Sequence, residues 1–183
     1  MKPLLILILS LLFALSAMGQ QPESSDSGFT NKTEAKNQFV NKLKEGKWIE
    51  YVDIGGFIAD TSFFKDSSSL NYMLTIYHEG KPTGIRRLYY NTGTIWIECY
   101  YINGMGNGVT KKYDSYGRLF LETPYVNDSA NGVQKRYYPN GKIFYEIPYK
   151  NNVGGVPQYY KDDGTPMPKG TYSVDENGNE IKQ

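Results

Sequence analysis

The chain has 183 residues, of which 20 are Lys or Arg, 19 are Asp or Glu and one is His, and its formal net charge is +1. A chain so close to neutrality lacks the positive charge by which proteins hold nucleic acid, so we expect no nucleic-acid partner. Its single cysteine, Cys99, excludes an intrachain disulfide, and no second His or Cys completes a zinc set, so we expect no metal.

Residues 1–19 have the pattern of a secretory signal peptide. A basic residue precedes the apolar run Leu4–Ala17, and a small-x-small cleavage sequence ends at Gly19. Cleavage there predicts a secreted or periplasmic protein, and no cysteine follows that could carry a lipoprotein anchor. A retained anchor is the alternative, although the run is short for a membrane span of about 20 residues. The polar residues 20–33 are predicted to form a flexible leader.

A weak copy of a repeat follows the leader. Gly46 is followed at offsets of five and nine by Tyr51 and Gly55, and Phe39–Asn41 fits the same frame as a strand. Residues 33–45 also allow a short helix, because their apolar residues fall on one side of a helical projection. An insertion near 56–70 separates this copy from the complete ones.

From Gly84 onward the repeat has a regular period of 23 or 24 residues. Each copy begins with a glycine, has a tyrosine five residues later and has a second glycine nine residues later. The first glycines of the copies are Gly84, Gly108, Gly132 and Gly155. Such a period indicates an array in which each unit buries its apolar surface against its neighbours. We assign residues 34–165 to this array.

Each copy is expected to form a β-hairpin. In the third copy, Val133–Tyr138 and Lys142–Tyr149 are rich in strand-forming residues, and Pro139-Asn140-Gly141 is a turn sequence between them. Residues 166–183 are predicted to form a shortened hairpin that caps the last repeat with polar residues. The predicted fold class is therefore all-β.

The second copy resembles a MORN-type repeat, and it is most similar to the bacterial variant form. The resemblance lies in Tyr101-Ile102-Asn103-Gly104 and in the Gly108, Tyr113, Gly117 and Glu122 that follow it. It covers roughly residues 71–165, with weaker traces at 39–55. It implies an elongated, single-layer antiparallel sheet of tandem hairpins. It also implies a scaffold or binding role, with membrane association and an antitoxin label in some family members.

Alternation along the strands predicts a tyrosine-rich face on which a partner binds. The tyrosines of this predicted binding face are Tyr89, Tyr101, Tyr113, Tyr125, Tyr137 and Tyr149. We expect Tyr89, Tyr113 and Tyr137 to line one continuous face, and Phe57, Phe63 and Phe64 of the insertion to cover part of it.

The charges of the array favour a structural role. Pairing of neighbouring units is expected to place Glu98 opposite Lys112, and Glu122 opposite Arg136. Residues 81–150 carry ten Lys or Arg and five Asp or Glu. We interpret this excess as protection of sheet edges, with a membrane-surface role as the alternative.

No catalytic residues are predicted. The one histidine, His78, precedes a glutamate in a turn sequence, and Cys99 is expected to be a small buried hydrophobe. The repeated glutamates occur once per unit, so a carboxylate pair for hydrolysis is only a remote alternative. We expect a non-enzymatic protein without a cofactor. A protein is the expected partner, with a glycan or a membrane surface as alternatives. The sequence leaves the oligomeric state open.

Overall fold

A computed structural model describes residues 28–59 and 67–168, together with the backbone of 173–174 and 180–181. The predicted signal peptide, most of the predicted leader, and Phe63 and Phe64 lie outside the described residues. Two short 3-10 turns occur, at Lys32–Glu34 and Ser67–Ser69. The alternative of a short helix within 33–45 is therefore reduced to one turn at its start, and the strand predicted at Phe39–Asn41 is confirmed by a strand at Gln38–Val40.

The remaining regular structure is β. The strands are β1 Gln38–Val40, β2 Leu43–Val52, β3 Asn71–His78, β4 Lys81–Tyr89, β5 Ile95–Ile102, β6 Met105–Tyr113, β7 Leu119–Val126, β8 Ser129–Ala130, β9 Gly132–Tyr137, β10 Ile143–Lys150, β11 Val153–Gly154, β12 Gln158–Tyr159, β13 Ser173–Val174 and β14 Glu180–Ile181.

These strands form one open antiparallel sheet in hairpin order. The described residues place twelve strands in it, in the order β1 to β7 followed by β9, β10 and β11, with β8 paired to β7 and β12 paired to β10. This confirms the predicted all-β array of tandem hairpins. Within the predicted C-terminal cap, β13 and β14 pair antiparallel as a separate two-stranded sheet.

Two-residue turns connect consecutive strands at one end of the hairpins. Asn103 and Gly104 join β5 to β6, and both have positive φ, at 50° and 89°. Asn127 and Asp128 repeat this arrangement after β7, with φ of 48° and 63°. Positive φ at both central residues is the turn geometry that matches the right-handed twist of a hairpin, and Asn tolerates it well. The asparagine that ends each copy of the repeat is therefore a turn residue.

Bulges recur once per unit near the opposite end of the hairpins. The pairing shifts between Leu88 and Tyr89, so that Trp96 is the extra residue, and it shifts equivalently at Phe120 and Phe144. A bulge opposes two residues to one and breaks the strict alternation of side chains. Because of these shifts, Ile95 and Ile97 lie on different faces, although strict alternation along the strand would place both on one face.

The register defines two faces of the sheet, since residues directly opposite each other on paired strands share a face. The face that we call the ladder face carries Arg87, which is paired with Glu98. The face that we call the cationic face carries Arg86, which is paired with Cys99.

The best-packed part of the molecule is the region β2–β4, which is covered on both faces. The ladder face there contains the buried cluster Phe29, Leu74 and Tyr89, and the cationic face contains Val52, Met73 and Leu88. Leu74 and Val52 are 0% exposed. The core therefore lies at the N-terminal end of the array.

The cover on the ladder face comes from the segment 28–35. Phe29 is 5% exposed, and its carbonyl oxygen accepts a hydrogen bond from Arg87 at 3.5 Å. The segment also approaches the sheet closely at Gly28, where a Cβ would lie 2.4 Å from the carbonyl oxygen of Ile85. This packing differs from the flexible leader predicted for residues 20–33, because an aromatic anchor follows the serine-rich residues.

The cover on the cationic face comes from the start of the predicted insertion. A Cβ at Gly56 would lie 3.5 Å from the Trp96 ring and 3.7 Å from Leu88, so the backbone packs directly on this face. The Phe57 side chain is 73% exposed. The prediction that Phe57 covers the face of Tyr89 is therefore wrong. Phe29, from the other side of the sheet, has that position.

The exposed main chain of edge strand β2 is capped by side-chain and loop groups. The amide of Ile49 donates to Oδ1 of Asn37 at 2.9 Å, and Nδ2 of Asn37 donates to the carbonyl of Ile49 at 3.1 Å. Ala59 donates its amide to the carbonyl of Tyr51 at 2.9 Å. Asn37 thus makes the two bonds that a neighbouring strand would make, which blocks pairing with another chain at this edge.

Candidate binding faces

The six predicted tyrosines divide between the two faces. Tyr89 and Tyr113 lie on the ladder face, and so does Tyr137, which is paired with Ile143. The other three are each paired with the first glycine of a repeat and lie on the cationic face: Tyr101 with Gly84, Tyr125 with Gly108 and Tyr149 with Gly132. The prediction of one face for all six is wrong, because the bulges invert the alternation. The shared face of Tyr89, Tyr113 and Tyr137 is confirmed.

Tyr89 does not belong to an open surface. It is 5% exposed, beneath Phe29, and its ring stacks on that of Tyr72 with centroids 4.9 Å apart. Tyr113 and Tyr137 are half-buried. Of the three ladder-face tyrosines of the predicted binding face, Tyr113 and Tyr137 are therefore the accessible ones.

A row of alternating charges crosses six strands of the ladder face. Its members, each opposite the next, are Arg87, Glu98, Lys111, Glu122, Lys135 and Glu146. Arg87 Nε is 2.8 Å from Glu98, and Lys135 Nζ is 3.5 Å from Glu146. Opposite charges in direct opposition stabilise the register of a sheet. We call this row the charge ladder.

The register corrects the predicted ion pairs. Glu98 lies opposite Lys111 rather than Lys112, and Glu122 lies opposite Lys135 rather than Arg136. The error is one residue in each case. A one-residue shift moves a side chain to the other face. Lys112 and Arg136 therefore lie on the cationic face.

Tyrosine hydroxyls also bind the glutamates of the ladder. Tyr137 donates to Glu122 at 2.5 Å, and Tyr160 donates to Glu146 at 2.8 Å. Burial and the bond to Glu122 raise the pKa of Tyr137, because the phenolate would lie beside a carboxylate. Both carboxylates are occupied by hydroxyl donors from the array itself.

The ladder face contains a shallow groove of about 630 Å³ that crosses β4–β9. Its floor includes Glu98, Lys111, Glu122 and Lys135 of the charge ladder. An apolar row borders them, with Ile85, Tyr100, Val109, Pro124 and Val133. Val109 and Val133 are 45% and 44% exposed. The groove begins at Ile85, the residue against which Gly28 packs.

The cationic face has the opposite charge distribution. Within residues 81–150, all of which the structure describes, its strands carry Arg86, Lys112 and Arg136, and the three glutamates of these strands lie on the ladder face. Lys112 and Arg136 are each the next-to-last residue of their strand, and they lie on either side of Leu121. Three of the ten cations in this range therefore lie on a face of the sheet, whereas the sequence analysis interpreted the excess as protection of sheet edges.

The dibasic pairs of the sequence explain this separation. Arg86-Arg87, Lys111-Lys112 and Lys135-Arg136 recur once per unit, and each pair places one cation on each face. The sequence contained this signal, but only the bulge positions decide which residue of each pair is opposite a glutamate.

Neither Cys99 nor His78 lies in a group of side chains that could hold a metal ion within the described residues. Burial raises the pKa of the Cys99 thiol, and its Sγ lies 3.9 Å from the carbonyl oxygen of Arg86. His78 is exposed and is joined to Glu45 by a hydrogen bond of 3.0 Å. A helix suited to crossing a bilayer is not found in the part of the chain that the structure describes.

Comparison with known proteins agrees with the repeat architecture. Residues 82–103 and 130–151 match the MORN repeat variant family. Each match spans two consecutive strands and the turn between them. These strands are β4 and β5 in the first match and β9 and β10 in the second. No curated protein matches the chain. The period and the antiparallel hairpins agree with these two matches, which identify MORN variant repeats at residues 82–103 and 130–151.

Proposed function

We propose that this protein is an exported, non-enzymatic scaffold that binds an extended segment of a partner protein in the groove of the ladder face. The observation that carries the proposal is that the same face already holds an extended segment of the chain itself. Residues 28–35 cross β2–β4 with Phe29 as their anchor and with a main-chain carbonyl bonded to Arg87.

The groove continues the surface that this segment occupies. It begins at Ile85, beside Gly28, and it offers the same kinds of contact, with apolar side chains beside a row of charged ones. Val109 and Val133 provide apolar area, and the charge ladder provides donors and acceptors. Both kinds of group are needed, because apolar area gives affinity and paired polar groups give specificity.

Lys111 is the cation that is available to a partner. It lies opposite both Glu98 and Glu122, but it forms no ion pair within the described residues. Glu98 is held by Arg87, and Glu122 accepts the hydroxyl of Tyr137. An acidic residue of the partner fits beside Lys111 while its apolar neighbours lie on Val109.

Closed edges support binding at a face. Many sheets bind partners by adding a strand at an edge. Asn37 and Ala59 fill the main-chain positions of the β2 edge. The C-terminal side is covered where β11 and β12 pair with β10. Along β2 from Lys47 to Tyr51, a partner therefore meets side-chain and loop groups before it meets unpaired main chain.

The test is site-specific photocrosslinking in cells, with the crosslinking residue at Val109. We expect discrete protein adducts that disappear in Lys111→Glu and persist in Lys112→Glu. The second variant is a matched control, since it carries the same change on the opposite face. Adducts that ignore Lys111→Glu, or that form equally from the cationic face, would contradict the proposal. N-terminal sequencing of the cell-derived protein tests export, with Gln20 as the expected first residue.

Membrane-surface association is a second candidate, and the loop 53–58 favours it. Ile54 is 93% exposed, Phe57 73% and Ile58 65%. The loop is held by Asp53, whose Oδ1 accepts from the amides of Gly55 and Phe57 at 2.8 and 3.0 Å. Exposed apolar side chains on a fixed loop suit insertion at a bilayer surface. Cosedimentation with phosphatidylcholine vesicles, lost in Ile54→Asp with Phe57→Asp, is the expected result.

A further inference from the structure

We infer that the cationic face binds an anionic polysaccharide with a charge on alternate sugars. The inference concerns the face opposite the groove and does not depend on the proposed protein partner. It rests on uncompensated charge, on the spacing of that charge, and on the side chains between and beside the cations.

Two cations of this face have no side-chain partner in the part of the chain that the structure describes. Lys112 and Arg136 form no ion pair or hydrogen bond through their side chains within the described residues, and both are half-buried. Their sequence neighbours Lys111 and Lys135 lie on the other side of the sheet, with the three glutamates of β5, β7 and β10. The described strands β4–β10 therefore place no carboxylate on this face, whose Glu50 lies in β2 and binds Tyr77. An unpaired cation pair with no carboxylate on the neighbouring strands attracts an anionic ligand.

The third cation of this face has a fixed position. Arg86 Nε donates to the Thr75 hydroxyl at 3.1 Å, and Nη1 donates to the Tyr101 hydroxyl at 3.2 Å. Its guanidinium also lies 4.4 Å from the centre of the Tyr101 ring. Both partners are neutral, so the charge of Arg86 is oriented without being cancelled.

The cations repeat at a spacing that suits a polymer. Lys112 and Arg136 are two strands apart in one cross-strand row, with Leu121 between them. Neighbouring strands lie about 4.8 Å apart, so the two backbone positions are separated by about 10 Å. This distance is close to the length of two linked sugars in an extended chain, and a carboxylate on every second sugar meets both cations.

The rest of the face suits sugar rings more than an acidic peptide. A row of hydroxyl and amide groups crosses the same strands. Gln134 Nε2 donates to the Thr123 hydroxyl at 3.0 Å, and since Thr123 is only 5% exposed, Gln134 is the accessible member of this pair. A parallel row contains Tyr101, Tyr125 and Tyr149, each opposite a glycine that carries no side chain. Tyrosine offers an apolar ring with a polar tip, which fits the C–H faces and hydroxyls of a sugar. An acidic peptide would need only the cations for binding, and it would leave these tyrosine, hydroxyl and amide groups without a role.

Binding of the intact chain to hyaluronan, measured by calorimetry at two salt concentrations, tests the inference. We expect the double variant Lys112→Glu with Arg136→Glu to weaken binding by at least about tenfold, and added salt to weaken binding by the wild type. The variant Lys111→Glu with Lys135→Glu is the matched control. It has the same change in net charge on the ladder face, and we expect its affinity to stay within about twofold of the wild type.

Thermal unfolding of both double variants shows whether they fold, and Lys112→Arg with Arg136→Lys provides a conservative variant that should retain binding. Neutral dextran should not bind. Absence of hyaluronan binding by the wild type, or equal losses in the two double variants, would overturn the inference. Tighter binding of poly-L-glutamate than of hyaluronan would also overturn it, since it would identify an acidic polypeptide as the ligand.

Discussion

The sheet has a covered region, β2–β4, and an open region, β5–β10, although both are made of the same hairpin. In the covered region Leu74 and Val52 are fully buried between the sheet and segments that cross it. In the open region β5 consists entirely of half-buried residues. The difference shows that pairing alone makes the sheet, whereas chain segments outside the repeat make its core. The faces that lack such segments are the ones left available to other molecules.

The largest expected loss of stability follows from a substitution in the buried centre of the covered region. Leu74→Ala should destabilise the fold by about 3 kcal/mol, because a fully buried leucine leaves a cavity. Leu121→Ala, at a half-buried position of the open region, should cost only about 1 kcal/mol. Urea unfolding measures both values. Equal losses would show that the two regions are packed alike.

Removing the cover itself should have the next largest effect. Phe29→Ala should cost about 2 kcal/mol, less than a change deep in the core, because the segment can detach while the sheet remains folded. Hydrogen exchange should then increase first at the amides of Lys36 and Asn37, which bond to the carbonyl of Lys47. Phe57→Ala is the control, since its side chain is 73% exposed and little stability should be lost.

The capped edge allows a third test. Asn37→Ala removes two hydrogen bonds to Ile49 and should cost about 1 to 2 kcal/mol. It should also expose the amide and carbonyl of Ile49, so that light scattering detects association between copies of the chain. Lys36→Ala, one residue earlier, should leave the chain at its original size. An Asn37→Ala protein that does not associate would show that this cap has no protective role.

A buried tyrosine of the covered region should give an alkaline limit to stability. Burial and the neighbouring Glu50 raise the pKa of Tyr77 to about 12, above its ordinary value of about 10. A group whose pKa is raised by folding stabilises the fold fully below its unfolded pKa, and that contribution is lost as the pH rises from about 10 to 12. Tyr77→Phe should cost about 1 kcal/mol at pH 7 by removing the bond to Glu50. The variant should lose less stability than the wild type in this alkaline interval.

The smallest effect is expected at the exposed pair of His78, the last residue of β3, and Glu45 of β2. The hydrogen bond and the charge of Glu45 raise the pKa of His78. The contribution of the pair is therefore present below the ordinary histidine pKa of about 6.5 and is lost as the pH rises through the raised value. His78→Asn should lower the Tm slightly at pH 5 and leave it unchanged at pH 8. A larger loss at pH 8 would contradict this assignment.

The period of the sequence was sufficient to predict the hairpins and their order, because Asn and Gly recur where turns with positive φ are required. It was insufficient to assign the faces. Alternation places Tyr89 and Tyr101 together only if no bulge occurs between them, and Trp96 is such a bulge. Nothing in the local spacing marks Trp96 as an extra residue, since its aromatic character is equally usual in a regular strand.

The covering segments were harder to predict for a different reason. Phe29 follows a polar, serine-rich stretch and has no periodic partner near it, so its burial depends on contacts with Leu74 and Tyr89. Contacts between residues so far apart in sequence leave no signal in the repeat period or in the alternation of side chains. The dibasic pairs were visible in the sequence. One basic residue of each pair lies opposite a glutamate and the other does not, and the sequence does not distinguish the two.

The closed edges restrict how such a molecule can become longer. A strand added from outside finds the Ile49 main chain already bonded, so growth by joining separate chains is blocked at that end. Duplication of one internal copy avoids this obstacle. Each new copy would lengthen the molecule by two strand widths, about 10 Å. It would extend the ladder face and the cationic face together, and the segments that cover the two ends of the sheet would be unchanged. The reach of the protein is therefore a property that evolution can adjust in whole steps.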